Sequence, residues 1–84
     1  MTTTIKLEFP VTVDGQAYTE LQMRRCKVKD RRIASKQPTP ADQEVTLIAN
    51  LCEVPPNVID ELDAMDYEKC AEALRGFFGS STAA

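Results

Sequence analysis

The stretch Val54-Pro55-Pro56-Asn57-Val58-Ile59-Asp60-Glu61-Leu62-Asp63-Ala64-Met65-Asp66-Tyr67 decides how this chain folds. Pro55 and Pro56 end any helix that reaches them, because proline has no N–H to donate and its ring crowds the preceding turn. Pro56 suits a first helical position, where a missing N–H costs nothing. Val58, Ile59 and Leu62 then set an apolar stripe on a short helical turn, and Asp66 is a capping residue for a further helix. The stretch therefore reads as a hinge between two helices rather than as a site of chemistry.

Toward the N-terminus of the hinge, Thr39-Pro40 reads as N-cap and first residue of a helix, with Asp42 and Glu44 favourably placed in its first turns. Val45, Ile48, Ala49 and Cys52 form one apolar stripe that Leu47 and Leu51 widen, so this helix should be central to the fold. Toward the C-terminus, Tyr67, Cys70, Ala71, Leu74, Phe77 and Phe78 place a helix over 67–78. Gly79 is its expected stop, with a disordered tail over 79–84.

Residues 4–24 alternate as strands do. Ile5, Leu7, Phe9, Val11 and Val13 share one face of the first run, and Pro10 points outward, as on an edge strand. Asp14-Gly15 is a strong hairpin signal, because a two-residue type I′ turn needs positive φ at both positions. That turn pairs Val13 with Gln16 and Val11 with Tyr18. It sets Tyr18, Glu20 and Gln22 on the apolar face of the first strand, while Leu21 and Met23 point away. A bulged or three-residue turn at Gly15 is expected to shift the register by one residue and remove the conflict.

Between hairpin and central helix, residues 24–36 hold seven of the ten basic residues. Val28 to Ser35 can form a short helix with Asp30 in its first turn, and Val28, Ile33 and Ala34 are its inward candidates. The charge is lopsided. Residues 1–41 carry eight basic and four acidic groups, net +4, whereas residues 42–84 carry two basic and nine acidic, net −7. A solvated basic helix complementing the acidic half, within one chain or between copies, accounts for this. An acidic protein partner is a further reading. Nucleic acid is disfavoured, since the chain as a whole is acidic and its aromatics are not interleaved with the basic residues.

The 84 residues make one small domain, 1–84, with the hairpin at 4–24 and the helical part at 28–78. No apolar run approaches the roughly 20 residues that span a bilayer, and Met1 to Lys6 lacks the features of a secretion signal. The expected compartment is the cytoplasm. Cys26, Cys52 and Cys70 are three in number and widely spaced, and histidine is absent. That pattern gives neither a disulfide framework nor a zinc site, and it removes the commonest acid–base catalyst near neutral pH. No catalytic, cofactor or metal residues are expected, and the chain is not expected to be an enzyme. Acids at 60, 61, 63, 66 and 68 lack the spacing of a calcium loop and sit near helix starts.

The expected fold is α+β: an N-terminal β-hairpin followed by a bundle of three to four helices. The expected core is Leu7, Phe9, Val11, Leu21, Val45, Ile48, Leu51, Cys52, Val58, Ile59, Leu62, Cys70 and Leu74. Met65, Phe77 and Phe78 are candidate partner contacts, together with Arg24, Arg25, Arg31 and Arg32.

The order of parts also resembles a known family. A strand and Val-Asp-Gly turn lead to Thr19-Glu20-Leu21-Gln22-Met23-Arg24. The Val28-Lys29-Asp30 helix start and the apolar helix Glu44 to Leu51 follow, then Val54 to Leu62, then Asp66-Tyr67 and Ala71 to Phe78. Over residues 5–79 this is similar to the tail assembly chaperones of Mu-like phages and prophages. The resemblance implies a non-enzymatic protein that holds the tape measure protein, and in some cases other tail proteins, during tail assembly. It implies the host bacterial cytoplasm as location and absence from the mature virion. Self-association is compatible with it. The alternative is a small nucleic-acid-binding regulator using residues 24–36.

Overall fold

The computed structural model describes the backbone of residues 2–82 and the side chains as far as Phe77. Strands β1 (Thr2–Val13) and β2 (Gln16–Arg24) form an antiparallel hairpin. Helices α1 (Val28–Ala34), α2 (Pro40–Cys52), α3 (Pro56–Asp60) and α4 (Ala64–Thr82) follow. The fold is the expected α+β hairpin with helices. A two-stranded sheet is marginal on its own, and this one is covered on one face by α2, α3 and α4.

The hinge forms as the prolines dictate. Pro55 is the N-cap of α3 and Pro56 its first residue, and Val58, Ile59 and Leu62 are buried. Upstream, the Thr39 side chain accepts the Asp42 N–H at 3.1 Å and Pro40 opens α2. That helix closes at Glu53, which takes a left-handed conformation with φ 56°. The N–H groups of Glu53 and Val54 turn back to the carbonyls of Asn50 and Ala49, the wrap-around common at helix C-termini. Ile48 and Leu51 of α2 are fully buried with Met23, Cys70 and Val58, which makes α2 the centre of the core.

The hairpin corrects the sequence reading. The turn is a two-residue one, with positive φ at Asp14 (52°) and Gly15 (78°), and Val13 pairs with Gln16 and Val11 with Tyr18. The register shift occurs within the strand instead. Between the pairs Val11–Tyr18 and Lys6–Glu20, four residues of β1, Leu7 to Pro10, stand opposite Thr19 alone. Three extra residues is an odd number, so the shift exchanges the two faces of β2 relative to β1. Ile5 now pairs with Leu21 and Thr3 with Met23, and Ile5, Leu7, Leu21 and Met23 are buried together. Phe9 sits within the irregularity and is 54% exposed, so it is not a core residue. Pro10, which has no N–H to lose, occupies the break in the ladder.

What holds the bulge is Asp66. Its carboxylate is fully buried and accepts the N–H of Glu8 at 2.9 Å on Oδ1 and the N–H of Phe9 at 3.0 Å on Oδ2. The Lys69 ammonium lies 3.5 Å from Oδ1 and donates to the Lys6 carbonyl at 3.1 Å. Asp66 is therefore not the cap of α4. That role falls to Asp63, whose side chain accepts the Met65 N–H at 2.9 Å and whose carbonyl takes that of Tyr67. The last helix also runs through Gly79 to Thr82. Of the tail expected over 79–84, the final two residues lie outside the described residues.

Gly15 makes the turn possible through its backbone alone, since nothing lies within 4 Å of the position its Cβ would take. Gly15→Ala meets no neighbour and still forces an alanine into left-handed space. The expected loss is about 1 kcal/mol, read as a lower urea midpoint with an unchanged slope.

Candidate protein-binding surface

Helix α1 is anchored by charge rather than by an apolar stripe. Its buried residues are Asp30 and Ala34, one turn apart, and that face packs on α2. Asp30 is 1% exposed and takes a two-pronged contact from Arg24, with Nη1 to Oδ2 at 2.8 Å and Nη2 to Oδ1 at 2.9 Å. The Lys27 N–H adds a third bond at 2.9 Å, closing the first turn of the helix. The Arg24 hydrogen bonds, against the upward pull of burial, hold the Asp30 carboxyl down at about 2, and the Arg24 guanidinium is raised in turn. Arg24 also reaches Glu53 at 3.3 Å. Its charge is thus engaged inside the molecule.

This anchorage turns the rest of α1 outward. Val28 and Ile33, expected to face inward, are 75% and 45% exposed. A spacing of Asp30 to Ala34 on the inner face leaves positions 28 and 33 on other sides of the helix. Ile33 lines a surface concavity of about 420 Å³ with Lys29, Arg32, Ser35 and Lys36. Arg31 is exposed on the same helix.

Two further large apolar side chains are exposed, Phe9 on β1 and Met65 at the start of α4. Phe9 is held there by the Asp66 contact, and Met65, the neighbour of Asp66, is 66% exposed. Phe77 lies elsewhere, partly buried against the core, with the Arg25 guanidinium 5.4 Å from its ring centroid. Phe78 falls outside the described side chains. Of the candidates read from sequence, Met65 and Arg32 therefore stand open on two different surfaces, Arg25 and Phe77 meet each other, and Arg24 is drawn to Asp30. Sequence reasoning missed Phe9, Val28 and Ile33. Phe9 was misplaced by the register shift in β1, and Val28 and Ile33 by the burial of Asp30.

The titratable groups in the interior are quiet ones. Burial pushes the Cys52 thiol up to about 12 and the Cys70 thiol up to about 11, so neither is a thiolate near neutral pH. Burial, together with the hydrogen bond its hydroxyl donates to Glu44, raises Tyr67. Among the described residues no group of three His, Cys, Asp or Glu side chains is placed to hold a metal ion, and no helix is long and apolar enough to cross a membrane.

A family model described as phage tail assembly chaperone proteins, E, or 41 or 14, matches residues 4–79. The chain belongs to that family of phage tail assembly chaperones. Comparison with curated proteins and with solved structures gave no match. The matched span covers the hairpin and every helix of the chaperone up to the last turn of α4.

Proposed function

We propose that this chaperone binds the tape measure protein and keeps it in solution until the tail is built around it, acting by contact and without catalysis. Membership of the family over residues 4–79 carries the reading. The surface supports it. Large apolar side chains stand exposed at Phe9, Met65, Val28 and Ile33, on elements fixed by the Asp66 and Arg24–Asp30 contacts. Methionine and isolated rings adapt to a partner that presents many similar segments. The contact surface includes Met65, with Phe77, Phe78, Arg25, Arg31 and Arg32 as further contributors. The setting is the host bacterial cytoplasm, and the protein is absent from the finished virion.

Co-expression with the tape measure protein, followed by size-exclusion chromatography, tests the reading. The tape measure protein should remain soluble and co-elute only when the chaperone is present. Met65→Ser should reduce co-elution while leaving the thermal midpoint of the free chaperone unchanged. A tape measure protein that is equally soluble alone and forms no complex overturns the proposal.

A further inference from the structure

Several basic side chains are matched by carboxylates within the fold. Lys69 lies 3.5 Å from Asp66, Arg75 lies 2.7 Å from Glu68, and Arg24 is taken by Asp30 and Glu53. Lys29, Arg32 and Lys36 differ, because none has a carboxylate within ion-pair distance among the described residues. Asp30 on the same helix is committed to Arg24 on the inner face. All three cations are exposed, and with Ile33 and Ser35 they line the concavity of about 420 Å³. Lys29 stands one turn from both Arg32 and Ile33, and Val28 one turn from Arg32, so cations and exposed apolar side chains share the outward side of α1.

This mixture favours a protein ligand. A phosphate backbone would meet the cations and leave Val28 and Ile33 without a partner, and α1 has no aromatic ring on which a base could stack. Ser35 donates its hydroxyl to the Arg32 carbonyl at 2.7 Å, so that proton is not offered to a small anion. Lipid surfaces are entered by Trp, Phe or Leu side chains, and α1 carries none of these.

We propose that the outward face of α1 seats an acidic amphipathic helical segment of the tape measure protein, a reading that rests on the holding function proposed above. An apolar side chain of the segment enters the concavity against Ile33, and carboxylates one turn to either side of it meet Lys29, Arg32 and Lys36. Carboxylates spaced three or four residues apart share one helix face, as this requires. Exposed ion pairs add little affinity by themselves. The charges select acidic segments over basic ones and speed the encounter, and burial of Val28 and Ile33 supplies the apolar area. The contact is small and weakens with salt.

Overlapping synthetic peptides covering the tape measure protein, each titrated with the full-length chaperone and followed by fluorescence anisotropy, test this. Acidic amphipathic peptides should bind, more tightly at low salt than at high, and basic ones should not. Lys29→Glu with Arg32→Glu should weaken the bound peptides by about tenfold or more. The same peptides with Glu and Asp replaced by Lys should bind that variant and not the wild type, a rescue that a merely structural role for α1 would not give. Both positions are exposed, so an unchanged thermal midpoint should confirm that the variant is folded. Ile33→Ser should weaken binding without altering the preference for acidic peptides. Binding that ignores peptide charge overturns the proposal, as does a charge-reversed variant that binds as the wild type does. So does a single-stranded oligonucleotide or an anionic vesicle that displaces every bound peptide, which would give the face to that ligand. A charge-reversed variant that still holds the co-expressed tape measure protein at the wild-type level overturns this inference alone and leaves the proposed function standing. A wild-type chaperone that forms no complex with the tape measure protein overturns both.

Discussion

Asp66→Ala is expected to lower the unfolding free energy by about 3 kcal/mol, the range for breaking a buried charged contact. The carboxylate is fully buried and satisfies two backbone N–H groups on a strand that has lost its ladder partners there. Alanine leaves the Glu8 and Phe9 N–H groups without an acceptor and the Lys69 ammonium without its buried counter-charge. For a domain of this size the thermal midpoint should fall by roughly 12–24 °C. Asp66→Asn keeps the shape and one acceptor oxygen but presents an NH₂ to a second donor, so it should lie between wild type and Asp66→Ala. Urea titration of the three proteins checks the order, and an Asp66→Ala chain within about 0.5 kcal/mol of wild type, the range of an ordinary surface substitution, refutes it.

Arg24→Ala is the second large effect, at about 3 kcal/mol. It strands the Asp30 carboxylate, 1% exposed, with only the Lys27 N–H as partner. The double variant Arg24→Ala/Asp30→Ala removes the stranded charge as well and should be more stable than Arg24→Ala alone, with a coupling of about 1–3 kcal/mol in the double-mutant cycle. Acid makes the same point. Burial pulls the Asp66 carboxyl up, but the Glu8 and Phe9 N–H groups and Lys69 outweigh it, so Asp66, like Asp30, titrates lower when folded than when unfolded. Carboxyls depressed in this way contribute stability above the unfolded value near 3.9 and lose it as pH falls through their lower folded values, about 2 for Asp30. Wild type should therefore weaken between about pH 4 and 2. Arg24→Ala, whose Asp30 is no longer held down, should show a smaller loss over that window. Equal slopes in the two proteins would show that Arg24 does not set the acid response.

Local chemistry was legible in the sequence. Thr39-Pro40, Pro55-Pro56 and Asp14-Gly15 each act within a few residues, and each forms what its residue types require. The two acids that organise the fold were not legible, because nothing near Asp30 or Asp66 distinguishes a buried carboxylate from a solvated one. Asp66 in particular was a reasonable helix cap until β1 arrived beside it. The error at Phe9 has the same origin, since period-two counting holds only while the ladder is regular and three extra residues reverse it. For the candidate surface, Met65 could be picked out by residue type. Val28 and Ile33 were misplaced because an ion pair, not an apolar stripe, decides which side of α1 faces inward.

The Asp66 contact also bears on how the chaperone is made. The hairpin leaves the ribosome before the helices, and its Asp14-Gly15 turn can close at once. That turn alone favours the regular ladder, in which Leu21 and Met23 lie on the wrong side. The group that stabilises the shifted register is 58 residues beyond Glu8 and is synthesised only after both strands, the central helix and the hinge. A nascent chain ending before α4 therefore lacks the residue that chooses between the two pairings, and the hairpin waits for α4 to settle.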